Sequence, residues 1–102
     1  MGFFSFLKGP DINVGLEKFR MTDSAVLLDV RTKEEYAERK IEGSINLPLD
    51  EIQNIASVVP DKSTPIFLYC RSGKRSGRAK KALASMGYTN AVNIGGIMTY
   101  KG

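Results

Sequence analysis

Pro65-Ile66-Phe67-Leu68-Tyr69-Cys70-Arg71-Ser72-Gly73-Lys74-Arg75-Ser76-Gly77 joins three local patterns end to end. Ile66 to Tyr69 is an apolar run of strand length, and Ala79, Ala82, Leu83 and Met86 recur at helical spacing beyond it. Between them a short basic loop opens on Cys70, the only cysteine in the chain. The order is strand, loop, helix, so the thiol falls at a strand's carboxyl end and the loop aims into a helix N-terminus. Helical amides and the helix dipole favour negative charge there. Arg71, Lys74 and Arg75 lie within five residues of the sulfur and act in the same direction. Such surroundings lower a thiol's pKa, and the thiolate is the nucleophile. A lone cysteine ending a strand is often inert and buried, but the basic, glycine-containing loop favours covalent catalysis at Cys70.

The same alternation extends in both directions. Ile12, Leu16 and Phe19 suggest a first short helix, and Ala25 to Val30 is a continuous run suited to a strand buried on both faces. Thr32 and Glu35 form a capping-box pattern that opens a helix through about Lys40. Ser44-Ile45-Asn46-Leu47 reads as a short strand ending at Pro48; Asp50 then caps a helix with Ile52, Ile55, Ala56 and Val59 on its apolar face. Gly87 is placed to end the helix after the cysteine loop, and Ala91 to Ile94 is a last strand before a Gly95-Gly96 turn. Strands alternating with helices predict a small α/β domain: a largely parallel sheet flanked by helices on both faces. Ligand sites of open α/β sheets lie beyond the strands' carboxyl ends. Asp29, Arg31 and Cys70 all fall at such ends.

At 102 residues, 42% hydrophobic and 25% charged, the chain fits one globular domain over residues 1–102, with residues 1–10 a loosely ordered lead. It has no histidine, which removes Ser-His-Asp and Cys-His catalysis and histidine metal sites. One cysteine leaves no disulfide, no Cys-x-x-Cys pair and no thiolate zinc cluster within the chain. No cofactor or metal is expected. The net charge of +4 is unevenly spread, because all 11 acidic residues lie between Asp11 and Asp61. Arg71, Lys74, Arg75, Arg78, Lys80 and Lys81 then crowd the cysteine loop and its helix. Such a field suits an anionic substrate or an acidic partner. Nucleic acid is disfavoured, since no aromatic residue between Arg71 and Lys81 offers a base a stacking surface. The apolar start, Met1 to Leu7, is too short for a secretion signal, and no later run approaches a membrane span. A cytoplasmic, monomeric protein is expected.

Four motifs in order resemble the single-domain rhodanese family of thiosulfate sulfurtransferases. Leu28-Asp29-Val30-Arg31 with Glu35-Tyr36 is similar to the family's first signature, and Ile41-Glu42-Gly43-Ser44-Ile45-Asn46-Leu47-Pro48-Leu49 to its second. Tyr69 to Ser76 matches the active-site loop; Gly87-Tyr88 with Asn93-Ile94-Gly95-Gly96-Ile97 matches the end. Two positions depart from the pattern. Arg39-Lys40 stands where a Gly-His pair commonly precedes the isoleucine, and Tyr100 where a tryptophan often follows the double glycine.

The resemblance implies that Cys70 takes the outer sulfur of thiosulfate, releases sulfite and becomes a persulfide. A thiol or cyanide acceptor, or an acceptor protein, would then remove that sulfur. Amides from Arg71 through Ser72, Gly73, Lys74 and Arg75 to Ser76 would cradle the charged sulfur, with Gly73 permitting the turn. Arg71, Lys74 and Arg75 would draw in the anionic donor, while Ser72 and Ser76 could donate to the persulfide. Asp29 would hold the rim through an ion pair with an arginine such as Arg31. A rival reading is a cysteine-dependent phosphatase or arsenate reductase, but those loops carry arginine six positions after cysteine, where this chain has Ser76. A second alternative is a relay that passes persulfide between partner proteins.

Overall fold

Successive side chains of a strand point to opposite faces, so an unbroken apolar run requires cover on both. In the computed structural model, which describes residues 9–102, four strands form one parallel sheet, and the two central ones carry such runs. The four are β1 (Val26–Asp29), β2 (Ser44–Asn46), β3 (Ile66–Cys70) and β4 (Ala91–Gly96), in the order β2-β1-β3-β4. Helix α1 (Ile12–Arg20) precedes β1, α2 (Lys33–Glu38) joins β1 to β2, and α3 (Lys74–Ser85) joins β3 to β4. Leu28, Ile66, Leu68 and Cys70 join Ala79 and Leu83 of α3 in one core layer. Leu27, Phe67 and Tyr69 face the other way, against Ile12 and Leu16 of α1. Every residue of β3 is buried between these two layers.

Local chemistry sets the ends of these elements. Asp11 caps α1 by accepting the Asn13 amide at 2.9 Å, and Thr32 and Glu35 complete the expected capping box of α2. Gly87, at φ +94°, follows α3 in the left-handed region that favours glycine.

Three expectations are corrected. Helix α2 ends at Glu38, two residues short of Lys40, because the Arg39 backbone is already extended. The Asp50 segment is a 3-10 helix over Leu49–Ser57, kinked at Asn54 and preceded by Pro48 with no side-chain cap. Its three-residue period keeps Ile52 and Ile55 buried and turns Ala56, four residues after Ile52, to solvent. Gly95 and Gly96 are not a turn but the last residues of β4, which bulges where Leu68 pairs with Asn93 and Tyr69 with Gly95. The short N-terminal apolar stretch, and residues 1–8 of the lead expected to be loosely ordered over residues 1–10, lie outside the described residues.

Candidate active site

The carboxyl ends of β1, β3 and β4 meet at one rim, and Cys70 ends the central strand of that rim. Gly73 stands at φ +102° and leads directly into α3, so the chain turns back over the sulfur at a position that favours glycine. The turn brings the Gly73 amide to 3.0 Å from Cys70 Sγ, with the Ser76 hydroxyl at 3.4 Å. Gly96 closes the loop from the β4 side. A Cβ there would lie 2.1 Å from the Arg71 carbonyl oxygen, so only glycine lets the two backbones approach this closely.

Burial of Sγ pushes the Cys70 thiol up, but the Ser76 hydroxyl and the amides of Ser76, Gly73 and Ser72 outweigh it, and the net direction is down. Hydrogen bonds therefore carry the shift, where charge patterning alone pointed equally to the cations. Arg71 and Lys74 are exposed. Arg75 is engaged by Glu35 at 2.7 Å and 3.0 Å, a two-pronged pair that ties α3 to the capping box of α2. The Arg75 bond is the main cause that draws Glu35 down to about 2, partly opposed by burial.

Asp29 and Arg31 meet as expected. The Arg31 Nη2 lies 2.8 Å from Asp29 Oδ2, Nε donates to both carboxylate oxygens at 3.1 Å, and both residues are buried. Arg31 Nη2 also donates to the Arg39 carbonyl, and its guanidinium lies 5.8 Å from the centre of the Tyr69 ring. Pair and ring together lock the β1 rim to the segment that follows α2. Burial pushes Arg31 down and the Asp29 bonds push it up, with the upward direction prevailing.

One residue that sequence reasoning left without a role is Asn93. Its Nδ2 donates to the Gly73 carbonyl at 3.0 Å, and its Oδ1 accepts from the Gly95 amide at 3.0 Å and the Ser76 hydroxyl at 2.7 Å. Asn93 thereby fastens the cysteine loop to β4. The only signal was its place in the last family motif; its reach depends on the β4 bulge, which no spacing rule reveals. Ser76, expected as a donor to the persulfide, stands between Asn93 and the sulfur with its hydroxyl within reach of both. Among the described residues no group of three histidine, cysteine, aspartate or glutamate side chains is arranged to hold a metal ion.

A cysteine closing a central parallel strand, within a loop whose amides converge on its sulfur, defines a class of α/β domains built to hold an anionic sulfur. The comparisons with known proteins name the family. Residues 15–102 match the model of the rhodanese-like domain, and the chain belongs to that family. It is 45% identical over 71 residues to the thiosulfate sulfurtransferase PspE of Escherichia coli, covering 69% of this chain and 68% of that protein. It is 31% identical to the putative sulfur carrier protein YrkF of Bacillus subtilis, over 79% of this chain and 45% of that one. Among solved structures, an E. coli rhodanese with anions superposes with a TM-score of 0.71 at 41% identity, over 76% of this chain and 92% of that one.

Proposed function

We propose that the protein is a sulfurtransferase that moves sulfane sulfur from thiosulfate, or another persulfide donor, to a thiophilic acceptor through a persulfide on Cys70. The observation that carries the reading is the sulfur's own environment: buried, at the head of a loop, with the Gly73 amide and Ser76 hydroxyl directed at it. In the first half-reaction the Cys70 thiolate attacks the outer sulfur of thiosulfate. The new bond joins the two sulfurs, the old sulfur–sulfur bond breaks, and its electron pair leaves with sulfite. The outer sulfur of the resulting persulfide carries the negative charge, and the loop amides from Arg71 to Ser76 stabilise it. Arg71 and Lys74, exposed at the mouth, attract the dianion; Arg75 serves through its bond to Glu35, which fixes the start of α3. Asp29 and Arg31 build the rim and take no part in bond making. No general base is required, because the thiolate is preformed.

A second reading has its own observation. Lys74, Arg78 and Lys81 are exposed at helical spacing on α3 and continue the charge of Arg71, which suits an acidic protein that delivers or collects sulfur. In either case the chemistry suits a reducing compartment such as the cytoplasm, where Cys70 and its persulfide are not drawn into mixed disulfides. The deciding experiment is intact-mass measurement after incubation with thiosulfate. One added sulfur atom on the wild type and none on Cys70→Ser supports the reading; unmodified wild type refutes it.

A further inference from the structure

Ser76 is fully buried and its hydroxyl carries one proton, yet two acceptors stand within its reach: Cys70 Sγ at 3.4 Å and Asn93 Oδ1 at 2.7 Å. The Asn93 amide has its orientation fixed by other partners. Its Nδ2 donates to the Gly73 carbonyl at 3.0 Å, and its Oδ1 accepts the Gly95 amide at 3.0 Å. Turning the amide over would set donor against donor at Gly95 and oxygen against oxygen at Gly73, so it is Oδ1 that faces Ser76.

The hydroxyl thus lies between one acceptor that stays neutral and one whose charge changes during turnover. While Sγ is a thiolate the hydroxyl turns to the sulfur, because a bond to an ionised acceptor is roughly twice as strong as one to a neutral acceptor. Once the outer sulfur of thiosulfate has been taken, the charge sits on that outer sulfur. Sγ is then neutral, and the nearer Oδ1 is the better acceptor. The proton stays on Oγ throughout; only its direction changes.

Resting on the sulfur-transfer reading above, we propose that Asn93 is a positioning residue that acts through Ser76: it receives the hydroxyl while Cys70 carries sulfur and yields it when Sγ becomes the leaving group. Cyanide attacks the outer sulfur, a carbon–sulfur bond forms, and the bond to Sγ breaks. Its electron pair returns to Sγ, the Ser76 hydroxyl swings to meet it, and thiocyanate leaves. The pair stabilises the free thiolate and the transition state that regenerates it, and adds nothing to the persulfide. Sulfur is therefore not trapped on Cys70 by the groups that cradle it.

A double-mutant cycle of wild type, Ser76→Ala, Asn93→Asp and the double variant tests the coupling. Aspartate keeps the shape of asparagine, but its carboxylate holds the hydroxyl whatever the state of the sulfur. Its added charge and the lost bond to Gly73 are present with or without Ser76, so both cancel in the cycle. The charged groups of the surrounding elements cancel likewise: Arg71 and Lys74 at the mouth, Arg75 with Glu35, Asp29 with Arg31, and Asp50. Two rates are read: iodoacetamide alkylation on the acid limb, and discharge of a preloaded persulfide by cyanide in one turnover. Ser76→Ala should slow each about fivefold where Asn93 is present, and under about twofold beside Asn93→Asp. Equal slowing in both backgrounds makes Asn93 a scaffold alone and overturns the proposal, as does discharge that Ser76→Ala leaves untouched. A second measurement leaves Asn93 in place. The Gly95 amide shares Oδ1 with the hydroxyl, so its proton resonance should move further on persulfide loading in the wild type than in Ser76→Ala; equal movement overturns the proposal. A wild type that takes up no sulfur overturns the sulfur-transfer reading, and the alkylation arm, which needs no sulfur donor, then decides on Asn93 by itself.

Discussion

Replacing Ser76 with alanine isolates one of the bonds that hold Cys70 as a thiolate. The hydroxyl carries a single proton and faces two acceptors, Sγ at 3.4 Å and Asn93 Oδ1 at 2.7 Å. The shorter bond to Asn93 holds most of the proton while the sulfur is a thiol, and the thiolate's charge draws it across. A hydrogen bond to a charged group is worth roughly 1.5–3 kcal/mol when well formed, and a long, shared one about 1 kcal/mol. That is about a fivefold loss of thiolate at any pH below the midpoint of titration. The Gly73 amide, 3.0 Å from the sulfur, remains in the variant, so the thiol still titrates below an ordinary cysteine. The assay is the rate of iodoacetamide alkylation as a function of pH. Ser76→Ala should lower the rate about fivefold on the acid limb and leave the plateau reached at high pH near that of the wild type. Identical acid limbs would remove the hydroxyl from the account of thiolate stabilisation. A wild-type midpoint at or above that of a free cysteine, about 8.5, would refute the preformed thiolate altogether.

Gly96→Ala forces a Cβ to 2.1 Å from the Arg71 carbonyl oxygen, so it should cut sulfur transfer by tenfold or more; kinetics equal to wild type would show that the loop yields freely. Neutralising Arg71 and Lys74 together should raise the thiosulfate KM by about 1–3 kcal/mol equivalent, with less effect on transfer from a loaded persulfide; Lys80 and Lys81, exposed further along α3, are the control, and unchanged kinetics across salt concentrations would favour the relay reading. Glu35 titrates at about 2 when folded against 4.5 ordinarily, so the stability it contributes is present above 4.5 and is lost as pH falls through 2. With its side chain 30% exposed, that contribution is about 1–2 kcal/mol, and urea midpoints at pH 7 and pH 3 should converge in Glu35→Gln relative to wild type.

The sheet was legible because its physics is local. Ile66 to Tyr69 and Val26 to Val30 could not be half-exposed without stranding apolar side chains in water, so both had to be central, as β3 and β1 are. The capping box at Thr32 and Glu35 and the stop at Gly87 were legible for the same reason, each being a contact within one turn of chain. The 3-10 geometry of Leu49–Ser57 was not, because Ile52, Ile55, Ala56 and Val59 satisfy a period of three nearly as well as 3.6; only packing against α3 selects between them.

The candidate site divides along the same line. Cys70 and the turn at Gly73 announce themselves in sequence, since a strand that ends on a thiol and continues as glycine and helix leaves the loop little choice of path. The forces that shift the thiol do not. Counting cations suggested that Arg71, Lys74 and Arg75 would share the work, yet charge in solvent is screened, and two of these side chains are exposed. The third has its charge answered by Glu35, 40 residues away in sequence. What remains close to the sulfur is neutral: the Gly73 amide and a serine hydroxyl, held by an asparagine on the next strand. Short-range dipoles in a buried pocket outweigh full charges in water, because the low local dielectric preserves the first and bulk solvent weakens the second. The cations at the mouth are thereby left to choose what enters, and the loop to decide what happens to it. Arg71, one bond from the cysteine along the chain and exposed to solvent, stands where these two tasks meet.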